Sequence, residues 1–178
     1  MKITFVTGNL GKVKEVSRYL GIPLNHQSLD LAEIQSLDLE EIVKDKAARA
    51  FSAIGQPLLV EDVSLVFHAL GKLPGPLVKW FLDQLDNEGL CHLVDGKERG
   101  CTATVCYGLH DGKSIHLFSG SMEGFVASQP KGNNSFGWAP IFLPAGFDKT
   151  YAELTDEEQA PIAMRNKALK KLRDFLEK

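Results

Sequence analysis

The sequence has little of what several protein classes require. No stretch approaches the ~20 apolar residues that a membrane-spanning helix needs, and the apolar run at residues 3–6 is far shorter than the hydrophobic region of a secretory signal. The three cysteines, Cys91, Cys101 and Cys106, show no C-x-x-C spacing, and the five histidines are scattered without helical pairing. We therefore expect a cytoplasmic protein with neither a disulfide framework nor a structural zinc.

The chain also has no excess of positive charge. It carries 20 Lys and Arg against 23 Asp and Glu, whereas broad contact with a nucleic-acid backbone needs a large basic surface that releases counterions. We therefore expect neither a nucleic-acid partner nor a membrane partner. Because the P-loop pattern G-x-x-x-x-G-K-[ST] is absent as well, an anionic ligand would have to be held by a few placed lysines.

What the chain does have is the size and pattern of one folded domain. Its 178 residues, 44% apolar and 24% charged, suit a single domain that buries ~70% of its unfolded surface. Asp38 and Glu41 predict a capping box before the second helix. The patterning predicts strands at residues 1–7 and 58–60, helices at 11–20, 39–54, 78–85, 88–94 and 165–176, and a hairpin or meander at 101–127. These elements indicate one α+β or α/β domain over residues 1–178, with two lobes and a cleft.

Thr7, Gly8 and Asn9 follow the first predicted strand, and Lys12 lies in the first turn of the next helix. Open α/β sheets bind ligands at the carboxyl ends of their strands, and a helix N-terminus offers free N–H groups to an anion. A cation at that end of a helix costs about a few tenths of a kcal/mol, unless an anion accompanies it. The pattern therefore indicates a phosphate site, with an ordinary turn and a surface lysine as the alternative.

Glu61 and Asp62 follow the predicted strand at residues 58–60. If they close that strand, they lie at the same carboxyl edge of the sheet as the first corner. Paired carboxylates there suit Mg²⁺, which takes oxygen ligands, bridges phosphates and activates water. The alternative is a helix-capping Asp beside a salt-bridged Glu, and Glu33 cannot be placed by periodicity.

Three cations lie at unusual positions in the pattern. Lys46, three residues after Val43, falls on the apolar face of its helix, which favours a ligand contact or an inward ion pair. Snorkelling to the surface is the competing explanation. Arg165, four residues before Leu169, and Lys79, between two apolar residues, are equally ambiguous.

The segment Ser135-Phe136-Gly137-Trp138 places two aromatic residues around a glycine. Stacking of an aromatic ring on a planar base contributes ~1–3 kcal/mol to binding and does not by itself discriminate between bases. The loop is therefore a candidate base site, with a core Phe and an interface Trp as the alternative.

Six segments span nearly the whole chain in a specific order and spacing. They are Thr7-Gly8-Asn9-x-x-Lys12, Glu33-Ile34-Gln35, Leu59-Val60-Glu61-Asp62, Leu73-Pro74-Gly75-Pro76-x-x-Lys79-Trp80-Phe81, Ser135-Phe136-Gly137-Trp138 and Thr150-Tyr151-Ala152-Glu153. Together they resemble the inosine triphosphate pyrophosphatase family, also called the Ham1 family.

The resemblance implies a fold and an activity. The fold would be an elongated, two-lobed α/β structure with a mixed sheet and a central cleft, assembled as a homodimer. The enzyme would be a Mg²⁺-dependent nucleoside triphosphate diphosphatase that cleaves deaminated purine nucleotides such as ITP, dITP and XTP to the monophosphate and pyrophosphate.

The resemblance also assigns residue roles. Asp62 and Lys12 would be catalytic, with Asp62 orienting or deprotonating the attacking water, and Glu33 and Asp62 would hold the metal. Phe136 would stack on the base and Arg165 would hydrogen-bond its 6-oxo group. The remaining substrate-binding residues would be Thr7, Gly8, Asn9, Lys46, Lys79, Gly137 and Trp138.

The chain departs from the family pattern mainly where the base is bound. Ala139 replaces an Asp, the usual K-N-x-x-S-H-R motif retains only Arg165, and Val63 stands where Ser or Thr is usual. The replacements in that motif include Gln159, Ala163 and Met164. Altered base specificity is therefore one alternative, and a nucleotide-binding protein with little or no turnover is another.

Overall fold

The computed structural model describes residues 2–133 and 137–178. Its strands are β1 (Thr4–Val6), β2 (Asn25–Gln27), β3 (Leu58–Phe67), β4 (Pro74–Gly75), β5 (Gly100–His110), β6 (Ile115–Val126) and β7 (Phe142–Pro144). Its α-helices are α1 (Leu10–Leu20), α2 (Leu39–Ile54), α3 (Val78–His92), α4 (Asp156–Gln159) and α5 (Met164–Leu176). Short 3₁₀ helices occupy His68–Leu70, Ala139–Ile141 and Tyr151–Glu153. No helix within the described ranges is long and apolar enough to cross a membrane.

The strands form one mixed sheet in the order β2-β1-β3-β5-β6-β7, with β4 paired to β3. β1 pairs in parallel with both β2 and β3, whereas the β3–β4 and β6–β7 pairs are antiparallel. The parallel pairs lie where α1 and α2 supply the crossovers that parallel strands need. The predicted α/β class with a mixed sheet is confirmed.

β5 and β6 form the predicted hairpin, which turns at residues 111–114. Thr102 Oγ1 donates to Glu123 Oε2 at 2.7 Å, and the Thr104 and Ser121 hydroxyls lie 3.1 Å apart. Because the residue numbers rise on one strand as they fall on the other, the strands run antiparallel. Asp111 Oδ1 fixes the turn by accepting from two backbone N–H groups, each at 2.8 Å.

The two long N-terminal helices begin and end where the sequence predicts. Each ends at a glycine with positive φ, Gly21 at 70° and Gly55 at 69°, which is the usual left-handed C-cap. The capping box before α2 is only half correct. Asp38 accepts from two backbone N–H groups at 2.9 and 3.2 Å, but its own N–H donates to Ser36 Oγ rather than to Glu41. The Ser36 hydroxyl in turn donates to Glu41 Oε2 at 2.6 Å, so Ser36 mediates the contact.

β3 is longer than the sequence predicts. It continues through Phe67 instead of stopping at Glu61 and Asp62. It pairs with β1 at Leu58 and Leu59 and, further along, antiparallel with β4, and this second partner extends the strand. Glu61 and Asp62 therefore lie inside their own strand, just beyond its paired segment with β1.

Side chains of β3 alternate between the two faces of the sheet. Leu58 and Val60 pack with Val43 and other buried residues of α2 in one apolar cluster. By alternation Asp62 points to this face, whereas Glu61 points to the opposite face. The two neighbouring carboxylates are therefore directed to different surroundings.

The described chain divides into two compact units. The first comprises residues up to Asp62, Val105–Gly120 and Arg165–Lys178, and the second comprises the described residues of Val63–Thr104 and Ser121–Met164.

In the second unit the two helices predicted at residues 78–85 and 88–94 form one helix, α3, with a kink. Asp86 has a φ of 53°, and its Oδ1 accepts from the Gly89 N–H at 3.0 Å, which caps the second segment. Arg99 holds this region together by donating to the backbone carbonyls of Cys91, Val126 and Ala127 at 3.0, 2.8 and 2.6 Å.

Candidate functional site

The loop between β1 and α1 is the segment for which the sequence predicts a phosphate site. Asn9 is the N-cap of α1, and its Oδ1 accepts from the backbone N–H of Gly11 at 2.9 Å and of Lys12 at 3.2 Å. Thr7 Oγ1 accepts from the Asn9 N–H at 3.2 Å, and Gly8 lies exposed between them. The expectation that this helix end offers free N–H groups needs correction, because the Asn9 side chain already accepts two of them.

Lys12 and Arg165 both bind the buried carboxylate of Glu61. Lys12 Nζ lies 2.8 Å from Glu61 Oε1, and Arg165 Nη2 donates to the same oxygen at 3.0 Å. Arg165 Nε also points to Glu61 Oε2 at 3.4 Å, and the Glu61 side chain is 2% exposed. We refer to Lys12, Glu61 and Arg165 as the Glu61 cluster. Its two cations and one carboxylate carry a net charge of one positive unit, which suits an anionic ligand.

The Glu61 carboxyl and the Arg165 guanidinium are both ionised at neutral pH. Burial acts to raise the pKa of the Glu61 carboxyl, but the charges of Arg165 and Lys12 and their hydrogen bonds outweigh it and lower the pKa to about 2. Burial acts to lower the pKa of Arg165, but the charge and hydrogen bonds of Glu61 outweigh burial and raise this pKa above its ordinary value. Each charge in the cluster therefore stabilises the other.

Tyr107 of β5 adds a buried hydroxyl beside this cluster. Burial, and secondly the charge of Glu61, raise the pKa of Tyr107 well above its ordinary value. Among the described residues the hydroxyl forms no well-aligned hydrogen bond, and the Glu61 carboxylate is the acceptor that acts on it. A buried polar group without a partner costs about 1–3 kcal/mol.

Lys46 joins the two carboxylates that were predicted to hold a metal. Its Nζ lies 2.7 Å from Glu33 Oε1 and 3.2 Å from Asp62 Oδ2. Its side chain is 19% exposed, so the inward ion pair is confirmed and snorkelling is excluded. We refer to Glu33, Lys46 and Asp62 as the Asp62 cluster. Two carboxylates and one ammonium leave one negative charge, which suits a cation.

Lys46 is charged in this position. Burial acts to lower the pKa of its ammonium, but Asp62 and Glu33 outweigh burial and raise the pKa above its ordinary value. The Asp62 cluster therefore contains a cation bound to both acidic side chains.

The predicted site residues of the first unit thus lie in two groups. Lys12 and Arg165 contact Glu61, whereas Lys46 and Glu33 contact Asp62. Adjacent residues of a strand point to opposite faces, so the two groups lie on either side of β3 at the point where β1 has ended. The sequence predicted one shared edge for both carboxylates and did not predict this separation.

The Asp62 cluster fits a magnesium ion that is held jointly with phosphate. Mg²⁺ in proteins usually takes one or two carboxylates and completes its shell with water and substrate oxygens. Glu33 and Asp62 supply two such carboxylates. No group of three or more His, Cys, Asp or Glu residues suited to a metal occurs in residues 2–133 and 137–178, so the part of the chain that the structure describes contains no cage built from protein ligands alone.

The other predicted site residues belong to the second unit. Lys79 is exposed, with its Nζ 5.8 Å from the ring centroid of Trp80. Trp138 is only 5% exposed and packs edge-on against Phe142 at 5.4 Å. This burial favours the alternative of a core tryptophan, and contact of Trp138 with the substrate stays a prediction. Gly137 accepts from an asparagine side chain through its carbonyl at 3.0 Å, and Phe136 lies outside the described residues.

The positions that depart from the family pattern are mostly buried. Ala139, Ala163 and Met164 are 2%, 9% and 4% exposed, and Val63 is half-buried. Gln159 has a structural role, because its Nε2 donates to the backbone carbonyls of residues 151 and 154 at 2.8 and 3.2 Å. Apolar or structural side chains therefore stand where the family has charged and polar ones.

Sequence reasoning missed two features of the site. It treated Glu61 as a possible metal ligand, although strand alternation, applied to a longer β3, would have directed Glu61 away from Asp62. It did not single out Tyr107. A tyrosine within an apolar strand carries no sequence pattern that would predict a buried hydroxyl beside the Glu61 cluster.

The match to known proteins covers nearly the whole chain. The model of the Ham1 family matches residues 3–175. An inosine triphosphate pyrophosphatase of Schizosaccharomyces pombe is 44% identical over 98% of this chain and 95% of its own length. Another, from Yarrowia lipolytica, is 42% identical over 99% of this chain and 96% of its own.

Solved structures share the fold. A Ham1 protein from Coxiella burnetii superposes with a TM-score of 0.88 at 24% identity, covering 99% of this chain and 98% of its own. A nucleoside-triphosphatase, or dITP/XTP pyrophosphatase, from Mycobacterium abscessus does so with a TM-score of 0.81 at 26% identity, covering 97% and 98%. With the family match and these identities in agreement, the chain belongs to the Ham1 family.

Proposed function

We propose that the protein is a nucleoside triphosphate pyrophosphohydrolase that cleaves the bond between the α and β phosphates, with ITP, dITP and XTP as preferred substrates. The observation that carries the proposal is the Asp62 cluster, in which two carboxylates suited to a divalent cation share one lysine suited to phosphate. The names of relatives that match nearly the full chain support the same activity.

The phosphate chemistry needs positioned charge more than a covalent nucleophile, because the reaction is an in-line displacement on a polyanion. Lys12, Lys46 and Lys79 bind the triphosphate, and the loop of Thr7, Gly8 and Asn9 lies against its oxygens. The Asp62 carboxylate orients the attacking water and accepts its proton.

Glu33 and Asp62 are the residues that hold Mg²⁺ in this proposal. When bound, Mg²⁺ supplies positive charge to the phosphate oxygens, which lowers the cost of charge development during cleavage. Two carboxylates among the described residues would leave the remaining ligand positions to water and to the substrate.

The base is bound by residues around the aromatic segment. Phe136 stacks on the ring, Gly137 leaves room beside it, and Arg165 donates to the 6-oxo group. Preference for a deaminated purine rests on donors directed at that carbonyl and on the lack of a partner for an exocyclic amine. Trp138 itself is buried against Phe142.

A second candidate is the same chemistry with altered base choice. Buried Ala139, Ala163 and Met164 replace hydrogen-bonding residues of the family pattern, and each lost contact weakens selection by about 1–3 kcal/mol. A protein that binds nucleotides with little or no turnover is the other alternative, and the ion pairs of Asp62, Glu33 and Lys12 count against it.

The proposal extends to assembly and location. The chain acts as a single domain over residues 1–178, as a homodimer, in the cytoplasm. Analytical ultracentrifugation at micromolar concentration tests the dimer, and a monomer mass there would contradict it.

Steady-state release of pyrophosphate from ITP, XTP, dUTP, GTP and ATP, with Mg²⁺, tests the function. Release from ITP with a large excess of kcat/KM over ATP supports the main proposal. Comparable kcat/KM values for several bases support altered specificity instead. Tight nucleotide binding by calorimetry without product from any substrate would leave only the binding protein.

A further inference from the structure

Lys46 and a divalent cation need the same two carboxylates. The Lys46 ammonium contacts Glu33 Oε1 at 2.7 Å and Asp62 Oδ2 at 3.2 Å. A magnesium ion binds carboxylate oxygens directly, at about 2.0–2.1 Å. Even a metal that takes the other oxygen of each carboxylate places a second positive charge close to the ammonium. A bound metal therefore displaces the ammonium from at least part of this contact.

The displaced ammonium needs another anion. Lys46 is 19% exposed at its side chain and lies within a largely buried pair, so leaving it without a counter-ion is unfavourable. Its four-carbon stem is flexible and carries three donors that rotate freely. A triphosphate bound next to Asp62 is an anion within reach of such a side chain.

We propose that Lys46 competes with the divalent cation for Glu33 and Asp62 and releases both carboxylates when it binds a triphosphate instead. This inference rests on the proposed function, since it takes a triphosphate as the ligand that draws Lys46 away. Lys46 is then a positioning residue for the metal as well as a ligand of the substrate.

Cooperative binding follows from this competition. The triphosphate frees the carboxylates for the metal, and the metal frees the ammonium for the triphosphate. Because such coupling is reciprocal, each ligand strengthens the binding of the other by the same factor. The free protein binds metal weakly, and the complete site assembles only with substrate.

The test uses one substitution and two ligands measured separately. Lys46→Met removes the competing ammonium and retains most of the stem. We expect Mn²⁺ alone to bind this variant about 5- to 150-fold more tightly, the range typical of coupled ligands. We expect tripolyphosphate, titrated in EDTA without metal, to bind about 10- to 100-fold more weakly, because a charged hydrogen bond is lost. Calorimetry reports both affinities.

Arg49→Met is the matched control. Arg49 lies one turn further along α2, pairs with Asp45 and does not contact the Asp62 cluster in the hydrogen bonds and ion pairs of residues 2–133 and 137–178. The Arg49→Met substitution removes one positive charge from the same helix. It therefore shows how much the Mn²⁺ affinity rises merely because the protein has become more negative. The thermal midpoints of both variants report folding, and Lys46→Gln repeats the test with a polar side chain.

The opposite signs for the two ligands identify competition. A Mn²⁺ affinity in Lys46→Met and Lys46→Gln within twofold of that in Arg49→Met would overturn the proposal, as would undetectable Mn²⁺ binding by all proteins at millimolar concentration. The double variant Lys46→Met with Glu33→Gln is expected to lose the increase in Mn²⁺ affinity. An increase that persisted in the double variant would also overturn the proposal. None of these readouts needs turnover: a protein without pyrophosphatase activity but with the two opposite shifts would refute the proposed function and retain the competition.

Discussion

Glu61 and Asp62 are neighbours in one strand, yet their surroundings are opposite in charge and in burial. The Glu61 cluster contains two cations around one carboxylate that is 2% exposed. The Asp62 cluster contains two carboxylates around one cation, with Asp62 20% and Glu33 55% exposed. The alternation of a β-strand is therefore enough to divide two adjacent acids between a surrounding of net positive charge and one of net negative charge.

The difference in burial separates structural from chemical roles. Both oxygens of Glu61 already lie within 3.4 Å of a cationic nitrogen of Arg165, and Oε1 also binds Lys12. Such a carboxylate fixes cations in place. Asp62 is more open and shares its lysine with an exposed partner, so its ligands exchange more readily. We expect substitution of Glu61 to affect mainly stability and substitution of Asp62 to affect mainly turnover.

The largest effect is expected for Asp62→Asn. The substitution retains the shape of the side chain but removes a metal-binding charge and the proton acceptor for water. We expect kcat to fall by about 10²- to 10⁴-fold while the thermal midpoint stays near that of the wild type. Asp45→Asn is the control, since Asp45 pairs with Arg49 on the same helix as Lys46. A near wild-type rate for Asp62→Asn would show that another group activates the water.

Glu61→Gln is expected to have the next largest effect, and it acts on stability. It leaves Lys12 and Arg165 without their shared counter-ion, and breaking a buried ion pair costs about 3–5 kcal/mol. Because the Lys12 and Arg165 side chains are 25% and 16% exposed, solvent relieves part of this cost, and we expect a loss of about 3 kcal/mol. Urea denaturation measures it. Glu177→Gln, in an exposed pair with Arg173, should change the free energy of unfolding by less than about 0.5 kcal/mol.

The pH dependence of stability gives a second measurement on the same variant. The folded-state pKa of Glu61 is lowered from 4.5 to about 2, so its contribution to the free energy of unfolding is fully present above pH 4.5 and is lost as the pH falls towards 2. Glu61→Gln should therefore flatten the acid limb of the wild-type curve in this window. An unchanged slope would mean that Glu61 is not the titrating group.

Local chemistry made much of the first unit predictable from sequence. Asn9 and Asp38 cap their helices with their own side chains, and Gly21 and Gly55 end them, so the bounds of α1 and α2 are encoded within a few residues. The position of Lys46 was predictable only in part, because its place on an apolar helix face left a ligand contact, an inward ion pair and snorkelling all open.

The rest depends on contacts between distant parts of the chain. Arg165 contacts Glu61 although the two residues are 104 positions apart in the sequence. The hydrophobic periodicity of either segment does not predict this contact. The length of β3 depends on its pairing with β4, which a run of apolar residues at its start does not reveal. Because the predicted strand ended too early, its alternation was not applied to Glu61 and Asp62.

Glu33→Gln should have a smaller effect on turnover than Asp62→Asn. Glu33 is 55% exposed and supplies only one of the two carboxylates, so water replaces it more easily. We expect kcat/KM at limiting Mg²⁺ to fall by about tenfold, which corresponds to about 1.4 kcal/mol, and to recover in part as Mg²⁺ is raised. A loss as large as that of Asp62→Asn, without recovery, would place Glu33 in the chemical step itself.

The smallest effect, and one of unusual sign, is expected for Tyr107→Phe beside the Glu61 cluster. Its hydroxyl is buried with no well-aligned hydrogen bond among the described residues, so its removal relieves a desolvation cost and loses at most a weak interaction with Glu61. We expect the free energy of unfolding to rise by up to about 1 kcal/mol. Tyr19→Phe is the matched control, because its hydroxyl donates to the Asn166 carbonyl at 3.0 Å, and it should destabilise by about 1 kcal/mol. If both substitutions destabilise equally, the Tyr107 hydroxyl is paired in solution, and the Glu61 cluster then extends to a fourth member.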